Sequence, residues 1–178
     1  FTQLDLEMSF VEPADVQQVV EGAFNAVMEA VNEAPLALPL PRITWREAME
    51  RYGSDKPYRR FGLELTDVSD ACQSCGFGVF ESAVASGGSV RGINAKGLLP
   101  AMSRREIDSL AEFAKTYRAK GLAWILVGED GLRSSFTKFL TEPFASDLLA
   151  RMGAEKGDAL FFVADRDSVV YQSLGELR

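Results

Sequence analysis

A chain of 178 residues with 47% apolar and 25% charged side chains can bury one sizeable core, and its net charge of −7 repels a phosphate backbone at long range, which argues against a nucleic-acid binder acting alone. Histidine is absent, so Ser-His and Cys-His catalytic pairs and His-ligated metal sites are excluded within these residues. No apolar run approaches the roughly 20 residues of a membrane-spanning helix and no signal-peptide pattern opens the chain, so the expected location is cytoplasmic, with no membrane partner.

The opening FTQLDLEMSF alternates Leu4, Leu6, Met8 and Phe10 with Gln3, Asp5, Glu7 and Ser9, the period-2 pattern of a strand with one apolar and one polar face. Glu12-Pro13-Ala14-Asp15 then reads as a helix start, followed by Val16, Val19, Val20, Ala23, Phe24, Val27 and Val31 at helical spacing, the stripe of a packing helix. Pro35, Pro39 and Pro41 make the next stretch a connector. Thr44-Trp45-Arg46-Glu47 has capping-box spacing and predicts a helix to about Tyr52, stopped by Gly53.

Past the polar, turn-forming residues 52–62 the texture changes. Phe61 to Val68, Phe77 to Ala83 and Val90 to Ala95 read as short strands, with Ser86-Gly87-Gly88-Ser89 as a turn. Ser103-Arg104-Arg105-Glu106 caps a helix carrying Ile107, Leu110, Ala111, Ala114 and Tyr117 on one face, with Gly121 as its stop. Ala123 to Val127, a turn at Glu129-Asp130-Gly131, and Leu132 to Ser135 suggest a hairpin. A helix over Phe144 to Met152 and an apolar run within Asp158 to Ala164 complete the pattern. Strands and helices mix without strict alternation, so the expected class is α+β, an antiparallel sheet with helices packed on one face.

Cys72-Gln73-Ser74-Cys75 has the spacing of a zinc knuckle, but zinc takes about four ligands and neither a second Cys pair nor a His is present, so ordinary thiols and no metal site are expected. The glycines at 76, 78, 87, 88 and 92 match neither a dinucleotide nor a phosphate-loop fingerprint, and read as turn and close-packing residues. Arg104 and Arg105 read as solvated surface. Pattern alone also leaves the polar face of the opening segment as solvent-facing.

Residue identities go further. FTQLDLEMSF, followed about 40 residues later by RYGSDKP, resembles the bacterial-type aspartyl-tRNA synthetase family, in which an F-T-Q-x-D-x-E-x-S-F strand closes the second signature motif of the class II catalytic domain and Y-G-S-D-K-P-D precedes a large insertion. KGLAWILVGEDG, SSFTKFL and GDALFFVADR are similar, in the same order, to stretches of that insertion, the GAD domain, and VVYQSLGELR resembles the return to the catalytic domain. Tyr58 departs from the pattern, which has Asp there.

The resemblance implies a partial class II catalytic segment over residues 1–60, the GAD insertion over 61–166 and a return segment over 167–178. It implies that the chain is a piece of an aspartate–tRNA ligase whose parent activates aspartate with ATP and transfers it to the 3′ end of tRNA. Gln3 and Asp5 would lie around the aspartate substrate, with no catalytic residue in the piece itself. ATP and magnesium would serve the parent, a homodimer, and no cofactor is expected in the piece. A non-catalytic GAD-type module binding tRNA or a protein is the alternative.

Overall fold

Residues 1–31 and 34–178 are described by the computed structural model of the chain. They divide into two units, Phe1–Ile43 and Thr44–Arg178. In the first, helix α1 spans Pro13–Ala30. Pro13 occupies its first turn, where a missing amide costs nothing, and the Glu12 amide donates to Asp15 Oδ2 at 2.8 Å. The helix is where the spacing predicts it, but its stripe is not packed: Val16, Val19, Phe24, Val27 and Val31 are all exposed. The connector returns along α1 through polar contacts, with the Leu36 amide donating to Asn25 Oδ1 at 2.8 Å and the Leu40 amide to Glu21 Oε1 at 3.1 Å.

The opening ten residues correct the expected strand. They form none, and each is exposed. Alternation describes a strand only when a neighbour satisfies its amides and covers its apolar side, and among the described residues no such neighbour pairs with Leu4, Leu6 or Met8.

The second unit is built on a five-stranded antiparallel sheet in the order β1-β2-β5-β3-β4. The strands are β1 (Thr66–Asp67), β2 (Ser89–Ala95), β3 (Ala123–Gly128), β4 (Gly131–Ser134) and β5 (Ala159–Asp165). Around them lie α2 (Trp45–Tyr52), α3 (Gly78–Ala85), α4 (Arg104–Thr116), α5 (Glu142–Arg151) and α6 (Asp167–Leu177). The α+β class and the antiparallel sheet are as expected. The helices are not on one face, however.

Ile93, Ala95, Leu126, Phe161 and Val163 pack with Ile107 and Ala114 of α4 and Val170 and Leu174 of α6. Val90, Ile125, Leu160 and Phe162 point the other way, onto Phe80 of α3 and Phe144 and Leu148 of α5. The central strand β5 is therefore buried on both sides, which is why Ala159 to Val163 reads as a continuous apolar run instead of an alternation. Burying a side chain such as Phe162 contributes about 1.5–3 kcal/mol by transfer alone. Gly92 is fixed by this packing, since a Cβ there would stand 2.6 Å from the Phe162 ring.

Two further expectations are corrected. Phe77 to Ala83 falls mostly in α3, a short helix that buries one face through Phe80 and Ala83 and leaves Val79 exposed on the other. Of Phe61 to Val68 only Thr66–Asp67 forms a strand, against Gly92 and Arg91, and the Val68 amide donates to the Val90 carbonyl at 2.9 Å. Thr44 and Ser103 cap α2 and α4 as expected, accepting from the amides of Glu47 at 3.1 Å and Glu106 at 3.3 Å. The stop of α4 comes earlier than Gly121: Arg118 takes a left-handed φ of 74° and the Ala119 amide turns back to the Ala114 carbonyl. Among the described residues no helix is long and apolar enough to cross a membrane.

Candidate functional site

The residues singled out in sequence occupy different places. Gln3 and Asp5 sit exposed in the opening segment, and no other candidate residue is brought to them within their unit. Cys72 is fully buried in the core beside α3 and α5, where burial pushes its thiol well above the ordinary range, while Cys75 is half-buried. Among the described residues, no group of three or more His, Cys, Asp or Glu side chains is placed to hold a metal. Arg104 is exposed and pairs with Asp108 one turn on, at 3.1 Å.

An open groove of about 530 Å³ in the second unit surrounds the YGSDKP segment. Its construction starts at the end of α2. Gly53 takes a φ of 68° and returns its amide to Met49, ending the helix in a conformation disfavoured for side chains. Directly opposite is Gly175 of α6: a Cβ on Gly175 would lie 2.6 Å from the Gly53 carbonyl oxygen, and one on Gly53 would stand 2.8 Å from the Gly175 Cα. Glycine at both positions lets α2 and α6 touch backbone to backbone. The chain then turns, with the Lys56 amide donating to Ser54 Oγ at 3.1 Å, and runs out through Tyr58 to Phe61.

Arg178, at the end of α6, ties residues 58–63 to that helix. Its Nε donates to the Leu63 carbonyl at 3.1 Å and its Nη2 to the carbonyls of Gly62 at 2.9 Å and Tyr58 at 3.2 Å. Its guanidinium lies between two rings, 5.0 Å from the Tyr52 centroid and 4.7 Å from that of Phe61. Tyr58 stacks on Phe61 at 5.4 Å, and Arg60 covers Tyr58 at 4.3 Å. On the other side of Tyr52, Arg51 grips Glu64 with Nε at 2.9 Å and Nη2 at 2.8 Å, and its Nη1 reaches Glu47 at 2.6 Å. That grip holds the Glu64 carboxyl below the usual range, and the single Arg51 cation is shared between the two acids, Glu47 and Glu64.

Residues 44–60 thus pack with α6 in the second unit, although in sequence they adjoin the opening segment. Sequence reading missed Arg178 and Gly175. The signal for Gly175 was a glycine inside a helical pattern, which commonly marks a close approach. It also missed a buried polar knot at the start of the central strand β5. Asp158, 3% exposed, accepts from the amides of Gly97 at 2.8 Å and Glu155 at 2.9 Å and from Asn94 Nδ2 at 3.0 Å. Burial alone would raise its carboxyl, but those donors and Lys96 more than offset this and hold it below the ordinary value.

Comparison with known proteins extends this geometry. The chain is 54% identical to the aspartate–tRNA(Asp/Asn) ligase of Symbiobacterium thermophilum and 53% identical to that of Lachnoclostridium phytofermentans, in each case over 100% of the chain and 30% of the relative. It is 49% identical to the aspartate–tRNA ligase of Clostridium botulinum, with the same coverage. The chain therefore spans about 30% of the length of the curated relatives it matches. Within it, the GAD domain family model matches residues 80–174, from α3 to α6. Just over half of the chain is covered in this way, and the chain belongs to the GAD domain family.

Proposed function

We propose that this chain is part of an aspartate–tRNA ligase, made of a segment of the class II catalytic domain (residues 1–60), the GAD insertion (61–166) and the return to the catalytic domain (167–178). The observation that carries this reading is an identity of 49–54% to aspartate–tRNA ligases over 100% of the chain, a span that extends beyond the GAD match at residues 80–174. In the parent reaction the aspartate α-carboxylate attacks the α-phosphorus of ATP, releasing pyrophosphate and giving aspartyl-adenylate. A hydroxyl of the 3′-terminal adenosine of tRNA then attacks the activated carbonyl and releases AMP.

Gln3 and Asp5 belong to the aspartate site of that parent. A carboxylate at position 5 suits the α-ammonium through a charge-assisted hydrogen bond, and Gln3 on the same alternating face supplies neutral donors and an acceptor. Among the described residues no group of three or more carboxylates is placed to hold magnesium. Magnesium, ATP and tRNA are engaged by other parts of the parent, which acts in the cytoplasm as a homodimer. Rate enhancement in such chemistry rests on positioning and on cationic stabilisation of phosphates. Alone, the chain is inert.

Aspartate-dependent ATP–pyrophosphate exchange tests this. The longer protein that carries the chain should exchange and should charge tRNA with aspartate, and the 178-residue chain should do neither. A folded longer protein without exchange would overturn the ligase reading in favour of a non-catalytic GAD-type binding module. Exchange above background by the chain alone would overturn its inertness.

A further inference from the structure

Residues 54–64 leave the end of α2 and come back beside it without joining the sheet or any helix. Among the described residues, no amide or carbonyl from Ser54 to Glu64 makes a backbone–backbone hydrogen bond. Asp55, Lys56 and Tyr58 to Gly62 are exposed. The two ends of the stretch are nonetheless pinned together. The Leu65 amide donates to the Arg51 carbonyl at 2.7 Å, Arg51 grips Glu64 through Nε and Nη2, and the Tyr52 hydroxyl donates to Glu64 Oε1 at 3.2 Å. A surface excursion with joined ends and no ladder of its own is an Ω-loop, an element that can open locally while the rest of the fold stays shut.

We infer that residues 54–64 form a strap that opens as one unit about its clasped neck, and that Arg178 is the latch that holds it shut. Arg178 stands on α6, where its amide bonds the Leu174 carbonyl at 3.0 Å. From there its guanidinium donates to the carbonyls of Tyr58, Gly62 and Leu63, and among the described residues the main chain of the strap has no other hydrogen-bond partner outside the strap. The guanidinium also lies between Tyr52 on the neck, at 5.0 Å, and Phe61 on the strap, at 4.7 Å. Leu63 takes a left-handed φ of 61°, a conformation that side chains disfavour and that persists where the surroundings enforce it. Its carbonyl is the one that Arg178 Nε holds. Withdrawing the latch therefore hands three carbonyls to water and lets Leu63 relax. The neck uses none of those bonds, so it stays closed, and below it Leu65 remains in the core.

Hydrogen exchange of the full chain, read by mass spectrometry on overlapping peptides, tests this. In wild type the strap amides should exchange well ahead of those of β5, because the strap opens without the sheet. Arg178→Gln removes the charge and the fork of donors, so strap exchange should rise roughly 10- to 100-fold, the loss of a charged hydrogen-bonding group, while β5 is unchanged. Arg178→Lys should behave like the Gln variant, since an ammonium neither spans three carbonyls nor lies flat between two rings. Phe61→Leu takes away one ring and leaves the carbonyls in place, and should give roughly a 2- to 5-fold rise. Glu64→Gln, on the neck, should speed exchange at the Leu65 amide as well, which the Arg178 variants should leave protected. Arg104→Gln, a charge loss on α4, should change nothing, and circular dichroism checks that each variant is folded.

Strap amides as slow as β5 in wild type would mean that residues 54–64 open only when the whole unit unfolds, and would overturn the strap. Strap exchange unchanged in folded Arg178→Gln, or raised there by the same factor in β5, would overturn the latch. Should Arg178→Gln fail to fold, Phe61→Leu decides by the same two comparisons. Every group involved lies within the chain, so loss of the ligase reading leaves the strap standing, and loss of the strap leaves the ligase reading untouched.

Discussion

Asp158→Asn is the sharpest probe of what holds the second unit together. The substitution keeps the shape of the side chain, yet every partner of the carboxylate is a donor: Gly97 N–H on Oδ1, and Glu155 N–H with Asn94 Nδ2 on Oδ2. An amide must turn its NH2 toward one of these. The least damaging orientation sets it against Gly97 N–H and leaves that buried amide unpaired, about 1–3 kcal/mol. The two remaining bonds lose their charge assistance, about 0.5 kcal/mol each, so the total is about 2–4 kcal/mol. For a chain of this size that lowers Tm by roughly 4–16 °C, read by circular dichroism at pH 7. The pH dependence follows from the lowered carboxyl of Asp158. A depressed folded value means the stabilisation is fully present above the unfolded value of about 3.9 and disappears as pH falls through the folded value. The gap between wild type and variant should therefore close in strong acid. A variant melting within 1 °C of wild type at pH 7, or a gap constant down to pH 2, would refute the account.

The knot escaped sequence reading for a physical reason. Asp158 in Gly157-Asp158-Ala159 has the local signature of a turn residue, and nothing local shows that Gly97, 61 positions earlier, delivers its amide there. What was legible lay in short range: the caps at Thr44 and Ser103, the Gly53 stop, and the hairpin of β3 and β4 are all decided within a few residues. The errors share one cause, which is that periodicity cannot report what covers an element. Phe77 to Ala83 has the same apolar density in a short helix that buries Phe80 and Ala83 as in a strand. The alternation of Leu4, Leu6 and Met8 describes a strand that acquires meaning only beside a partner. For the candidate site, the YGSDKP motif marked one wall of the groove, while Gly175 and Arg178 came from more than 100 residues away, in the VVYQSLGELR stretch, where nothing local shows that they pack against Gly53 and residues 58–63.

Phe162→Ala removes a ring with no exposure from the face shared by α3 and α5, and should cost about 3–5 kcal/mol in urea unfolding, whereas a loss below 1 kcal/mol would mean the site collapses freely. Gly175→Ala drives a Cβ against the Gly53 backbone, so α2 and α6 must separate; about 1–3 kcal/mol of stability should be lost, with faster hydrogen exchange in residues 45–52 than elsewhere in the second unit. The last prediction concerns Asp5 in the longer protein. If its carboxylate holds the substrate ammonium, Asp5→Asn keeps the shape but leaves a cation facing a neutral amide in a partly desolvated pocket, and losing that charged hydrogen bond should cost roughly 2–4 kcal/mol, or about 30- to 1000-fold in the aspartate kcat/KM. Leu4→Val, on the opposite side of the alternation, serves as the control: it should change stability by about 1 kcal/mol and leave aspartate kinetics near normal. Both variants are compared after thermal melting confirms folding. Asp5→Asn with wild-type aspartate kinetics would show that the polar face is merely solvated, and the assignment of Gln3 and Asp5 to the substrate would fall even if the ligase activity stands.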